Sequence, residues 1–62
     1  MKRVRFETVP IGGRCETEWK EKVMKTNLVR IITDRPINYI NAVNLDNGEL
    51  IPIDSSQWVW IE

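Results

Sequence analysis

Polar and apolar positions alternate through most of this chain. Between Lys2 and Thr8, Val4, Phe6 and Thr8 fall on one side and Arg3, Arg5 and Glu7 on the other. That period of two marks a strand with one wet face. Val9-Pro10-Ile11-Gly12-Gly13 interrupts it. Pro10 has no amide to give a ladder, and the glycines permit the positive φ of a turn. Alternation resumes from Arg14 to Trp19, with Cys15, Thr17 and Trp19 against Arg14, Glu16 and Glu18. The stretch from Glu18 to Lys25 reads two ways. Glu18/Lys22, Glu21/Lys25 and Trp19/Val23 have the i,i+4 spacing of a short helix. The preferred reading is a hairpin turning at Lys20-Glu21, followed by a strand from Lys22 to Thr26.

Leu28 to Thr33 forms a further strand, ended by the turn cluster Asp34-Arg35-Pro36. Tyr39 to Leu45 and Glu49 to Ile53 are the next two, joined through Asp46-Asn47-Gly48. Asn-Gly suits a two-residue type I′ turn, but that turn sets Asp46 opposite Glu49, like charge against like. A three-residue loop with Gly48 as the bulge residue avoids this conflict. Asp54-Ser55-Ser56 is a turn, and Gln57 to Glu62 a closing strand.

Five or six short strands at this spacing have the rhythm of an all-β sandwich or barrel. With 62 residues the chain is too short for an ordinary sandwich. A single domain over residues 1–62, folded as a small, strongly bent, SH3-like antiparallel barrel, fits best. Composition agrees: eight Ile, six Val and four Thr make 18 of the 62 residues β-branched, against one Ala and three Leu.

Charge and chemistry narrow the function classes. Nine Lys and Arg balance nine Asp and Glu, which argues against a general polyanion binder. With no His and one Cys, neither a Cys/His zinc site nor a His-dependent triad can be assembled from one chain. No cofactor motif is present, and the expectation is a protein without a cofactor and without enzymatic activity. No apolar run reaches the length of a membrane span, and the basic residues behind Met1 precede no apolar stretch. A lone thiol without an export signal fits a reducing, cytoplasmic setting.

The spacing Phe6-x-x-Val9-x-x-Gly12-x-x-Cys15 resembles the opening of a loose group of small phage and prophage proteins. In that group an aromatic, an aliphatic, a glycine and another aromatic recur at three-residue steps. Later landmarks match as well: Lys25-Thr26 ending a strand, Asn41-Ala42-Val43-x-Leu45 leading into Gly48, and the apolar strand Trp58 to Ile61. Cys15 departs from the group's aromatic, and the insert from Leu28 to Ile40 is longer than its pattern. The resemblance implies a small β-barrel of mobile-element origin and brings no catalytic residues with it.

The closing strand carries the main functional signal. Trp58 and Trp60 point to one face, Val59 and Ile61 to the other, so both faces are apolar. Leu28 to Ile32 and Leu50 to Ile53 repeat this pattern. Two-sided apolar strands need cover on both sides, and so short a chain leaves much of its surface exposed. The expected function is a protein-interaction module that self-associates as a homodimer or docks on a host protein through Trp58, Trp60, Ile51 and Ile53. The alternative is a nucleic-acid-binding accessory protein. There Lys2, Arg3, Arg5, Lys22 and Lys25 follow the phosphates, and Trp19, Trp58 and Trp60 stack the bases. Interspersed Glu7, Glu16, Glu18 and Glu21 work against that alternative. Cys15 reads as a small buried hydrophobe. Asp34, Asp46 and Asp54 fall in turns, and the sequence offers no support for an acid/base pair or a divalent-metal cluster among them.

Overall fold

The computed structural model describes residues 1–30 and 39–62. Within them lie six strands: β1 (Lys2–Arg5), β2 (Arg14–Glu16), β3 (Lys22–Arg30), β4 (Tyr39–Asn44), β5 (Leu50–Ile51) and β6 (Trp58–Ile61). All pair antiparallel in one sheet of order β1-β6-β2-β3-β4-β5. No α-helix occurs among the described residues, so the Glu18-to-Lys25 stretch resolves as the hairpin between β2 and β3.

The sheet is open. β1 and β5 are its outer strands, and no ladder joins them among the described residues. The expected closed barrel is therefore not formed by strand pairing. The sheet still curls enough for both ends to share one core. Phe6, Val9, Cys15, Val23, Ala42, Ile53 and Val59 are buried together, and Val4 from β1, Ile51 from β5 and Ile61 from β6 pack against them.

The first strand ends sooner than its alternation implies. Phe6–Thr8 is a 3₁₀ turn, closed by the Val9 amide donating to the Phe6 carbonyl at 3.0 Å. This swings Phe6 and Val9 into the core while Thr8 stays exposed. β2 also ends early, at Glu16. The Thr17 hydroxyl accepts the amides of Trp19 at 3.3 Å and Glu21 at 3.2 Å, turning the chain back. Lys20, with φ of 61°, occupies the left-handed position of that turn.

β3 joins two segments that read as separate strands. Lys25 lies opposite Ala42 and Val29 opposite Ile40, so four steps on β3 match two on β4. The irregularity falls between Lys25 and Val29, a stretch that includes Asn27, a poor strand former. The expected turn at Asp34-Arg35-Pro36 lies outside the described residues.

The β4–β5 connection is one residue longer than the expected three-residue loop. The Asn44 amide donates to the Glu49 carbonyl and the Gly48 amide to the Asn44 carbonyl, both at 2.8 Å, so residues 45–48 form the loop. Gly48 takes the positive φ, 74°. Asp46 and Glu49 are thereby kept from facing each other as a cross-strand pair.

Candidate functional site

Register places the tryptophans. β1 and β6 pair Arg3 with Trp60, Val4 with Val59 and Arg5 with Trp58. Directly opposed residues share a face. Since Val59 is fully buried, Val4 and Val59 point inward, and Arg3, Arg5, Trp58 and Trp60 stand together on the outer face. The Arg3 guanidinium lies 4.6 Å from the Trp58 ring and 5.7 Å from the Trp60 ring, and that of Arg5 lies 4.3 Å from Trp58. Stacks of this kind contribute about 0.5–1 kcal/mol each at exposed sites. Both indoles are half-buried beneath them.

Two further contacts hold the arginines. Arg5 Nη1 donates to the Ser56 carbonyl at 2.8 Å. Arg3 Nη2 is 4.0 Å from Glu18 Oε1, a long and exposed ion pair that adds little stability.

The outer face continues across the sheet. Glu16 lies opposite both Trp60 and Lys22, Arg14 opposite Met24, Met24 opposite Val43, and Val43 opposite Leu50. An apolar strip of Met24, Val43 and Leu50 is thus separated from the tryptophans by a charged band of Arg14, Glu16 and Lys22. β2 and β6 share only the Glu16–Trp60 pair, and where they part a groove of about 510 Å³ opens, bordered by Val9, Arg14, Cys15, Trp60 and Ile61.

The residues singled out by sequence separate into two groups. Of the four expected partner contacts, Trp58 and Trp60 stand outside. Ile53 is 4% exposed in the core, and Ile51, opposite core residue Ala42, packs against it. Ile53 is thus a core residue and Ile51 is half-buried against the core, so the tryptophans are the more exposed of the two pairs. Of the five cations, Arg3, Arg5 and Lys22 share the outer face, while Lys2, opposite Ile61, belongs to the inner side. Lys25 is engaged elsewhere. Its Nζ lies 4.9 Å from the Phe6 ring and donates to the Phe6 carbonyl at 3.2 Å, covering the 3₁₀ turn. Trp19 was expected beside Cys15 and Thr17, but the Thr17 turn carries it outward and it is 70% exposed.

Cys15 is buried, and burial pushes its thiol above the ordinary value, with the Lys25 ammonium opposing that rise. It is a core side chain in an unreactive setting. Asp54 has its carboxyl held below the ordinary range by the amide and then the hydroxyl of Ser56, which it accepts at 2.9 and 2.7 Å. Among the described residues no three His, Cys, Asp or Glu side chains gather as a metal site, and no helix is long and apolar enough to cross a membrane.

The structural role of Asn41 gave no signal in sequence. Its Nδ2 donates to the Ile53 carbonyl at 2.8 Å and its Oδ1 accepts the Ile53 amide at 2.7 Å. A buried amide can serve as a backbone mimic only where another chain segment passes at the right distance. No protein-family model, no curated protein and no solved structure matches the chain.

Proposed function

We propose that this chain is a non-enzymatic docking module, of the small SH3-like kind and of phage or prophage origin. Its outer sheet face, centred on Trp58 and Trp60, binds a host protein. The observation that carries the proposal is the grouping of two half-buried indoles with Arg3 and Arg5 on the solvent side of a single sheet. Trp and Arg are the residue types most enriched where protein contacts concentrate their energy. Met24, Val43 and Leu50 extend the apolar area on the same face. A standard contact of about 800 Å² per partner would take roughly a sixth of the 4697 Å² surface. A different protein fits better than a second copy, because a two-fold axis through the tryptophans would bring Arg3 and Arg5 against their own equivalents.

The second reading, a nucleic-acid-binding accessory protein, draws on the same arginines beside aromatic rings. Two observations weigh against it. The guanidiniums already lie over the indoles where bases would stack, and Lys25 is committed to the Phe6 carbonyl.

Capture from an extract of the source cells separates the readings. Immobilised wild type should retain a discrete polypeptide that resists added salt. A folded Trp58→Ser/Trp60→Ser variant should lose it. Retention of nucleic acid alone, released steeply by salt, or of the same polypeptides by both forms, would overturn the proposal.

A further inference from the structure

β1 begins the strand order, with no ladder on its far side among the described residues. One hydrogen bond shows which of its backbone groups face that open edge. The Phe6 amide donates to the Gln57 carbonyl at 2.9 Å, continuing the β1–β6 register. Bonded and non-bonded positions alternate in an antiparallel pair. Lys2 and Val4 therefore turn their amides and carbonyls towards β6, and Arg3 and Arg5 turn theirs away. The Arg5 carbonyl accepts the Thr8 hydroxyl at 2.7 Å. Among the described residues, the Arg3 amide, the Arg3 carbonyl and the Arg5 amide remain as a donor–acceptor–donor row on the edge.

The side chains of the same two residues stand on the outer face, held over the indoles. Stacking orders the guanidiniums before any ligand arrives, which lowers the cost of binding. Their own ion pairing is slight: among the described residues Arg3 reaches only Glu18, at 4.0 Å, and Arg5 donates to a neutral carbonyl. A strand laid beside β1 would set its residues opposite Arg3 and Arg5 on this same face.

We propose that the β1 edge takes an acidic extended segment of the partner protein as an added strand, in an acidic–apolar–acidic pattern. Carboxylates lie opposite Arg3 and Arg5, and the apolar residue lies opposite Val4, which packs against the core. This rests on the docking reading above and names the segment that docks. Charge selects the occupant. Lys2, Arg3 and Arg5 repel a second β1 laid against the first, whereas carboxylates at those places accept charge-assisted bonds from the guanidiniums. Backbone bonds supply the affinity and alternate side chains the specificity, as in other strand additions. A single-stranded nucleic acid would use the cations and leave the amide row idle.

The test is an NMR titration of the labelled full chain. Its probes are a short capped peptide alternating Glu and Val, its Lys/Val counterpart, and a short oligothymidylate. The Glu/Val peptide should shift the Arg3 and Arg5 amides and protect them from exchange; the Lys/Val peptide should not. Arg3→Glu/Arg5→Glu should weaken the first peptide by at least about tenfold and admit the second. Methylating the peptide's ladder amides should abolish binding to the wild type, a readout that holds even if the double variant fails to fold. Shifts at the Trp58 and Trp60 indoles without protection of the two amides would overturn strand addition and leave face docking standing. Absence of binding by the Glu/Val peptide overturns the inference alone. Binding of the oligonucleotide with both peptides silent overturns the inference and the docking reading together.

Discussion

Asn41 treats the backbone of Ile53 as a neighbouring strand would. It donates to the Ile53 carbonyl at 2.8 Å and accepts the Ile53 amide at 2.7 Å, two residues beyond the end of β5. Pro52 has no amide for the ladder, so the side chain takes over where pairing stops. This clamp holds Ile53 in the core and fixes the path of the chain back to β6.

Removing the clamp leaves an amide and a carbonyl of Ile53 unpaired beside the core. Asn41→Ala should therefore cost about 2–4 kcal/mol, the range for two stranded buried groups. Urea denaturation measures it; a loss below about 0.5 kcal/mol would show that water or a shifted backbone replaces the amide.

Gly13 is required for space. A Cβ there would meet the Pro10 carbonyl oxygen at 2.8 Å and Val9 Cγ1 at 3.0 Å. The same carbonyl accepts the Gly13 amide at 2.8 Å, so relief would break the turn that seats Val9. Gly13→Ala should lower stability by about 1–3 kcal/mol, read from the denaturation midpoint. An unchanged midpoint would mean the Val9–Gly13 turn adjusts freely.

Cys15 links stability to alkaline pH. Because burial raises its folded value, the contribution is complete below the unfolded thiol's range and is lost as pH rises through the folded one. Denaturation across the alkaline limb should show this decline in wild type and less of it in Cys15→Ala. A thiol reagent should modify Cys15 no faster than the chain opens; rapid modification of the folded protein would contradict the buried placement.

Asp54 acts at the acid end. Its folded value is lowered, so its contribution is present above the ordinary carboxylate range and is lost as pH falls through that lowered value. Asp54→Ala should remove this part of the acid dependence: the variant should be less stable than wild type by a constant amount from neutral to alkaline pH, and the two should converge as pH falls. Identical acid limbs for the two proteins would show that the Ser56 contacts are idle.

Local features of the fold were legible wherever a residue's own chemistry decides the matter. Gly48 in the β4–β5 loop, the turn at Lys20 and the placing of Val59 on the opposite face from Trp58 and Trp60 all follow from neighbours in sequence. Features set by distant partners were not. The alternation of Val4, Phe6 and Thr8 places Phe6 inward whether the strand continues or a 3₁₀ turn takes over, and only the turn leaves Thr8 exposed. Thr17 looks like a strand residue until its hydroxyl closes a turn, and Trp19 follows it outward. Ile51 and Ile53 read as surplus apolar surface because their use depends on the two ends of the sheet meeting. The Arg3–Trp60 and Arg5–Trp58 pairs arise only when the first and last strands lie side by side, a choice that alternation does not contain.

The proposed docking face can be tested against an exposed residue of the same type. Hydroxyl-radical footprinting should compare the purified chain with the chain in an extract of its source cells, following each tryptophan separately. Trp58 and Trp60, stacked under Arg3 and Arg5, should become protected in the extract, while Trp19, 70% exposed in the β2–β3 turn, should be oxidised equally in both. Equal oxidation of Trp58 and Trp60 in the two settings, or protection confined to Trp19, would contradict the account.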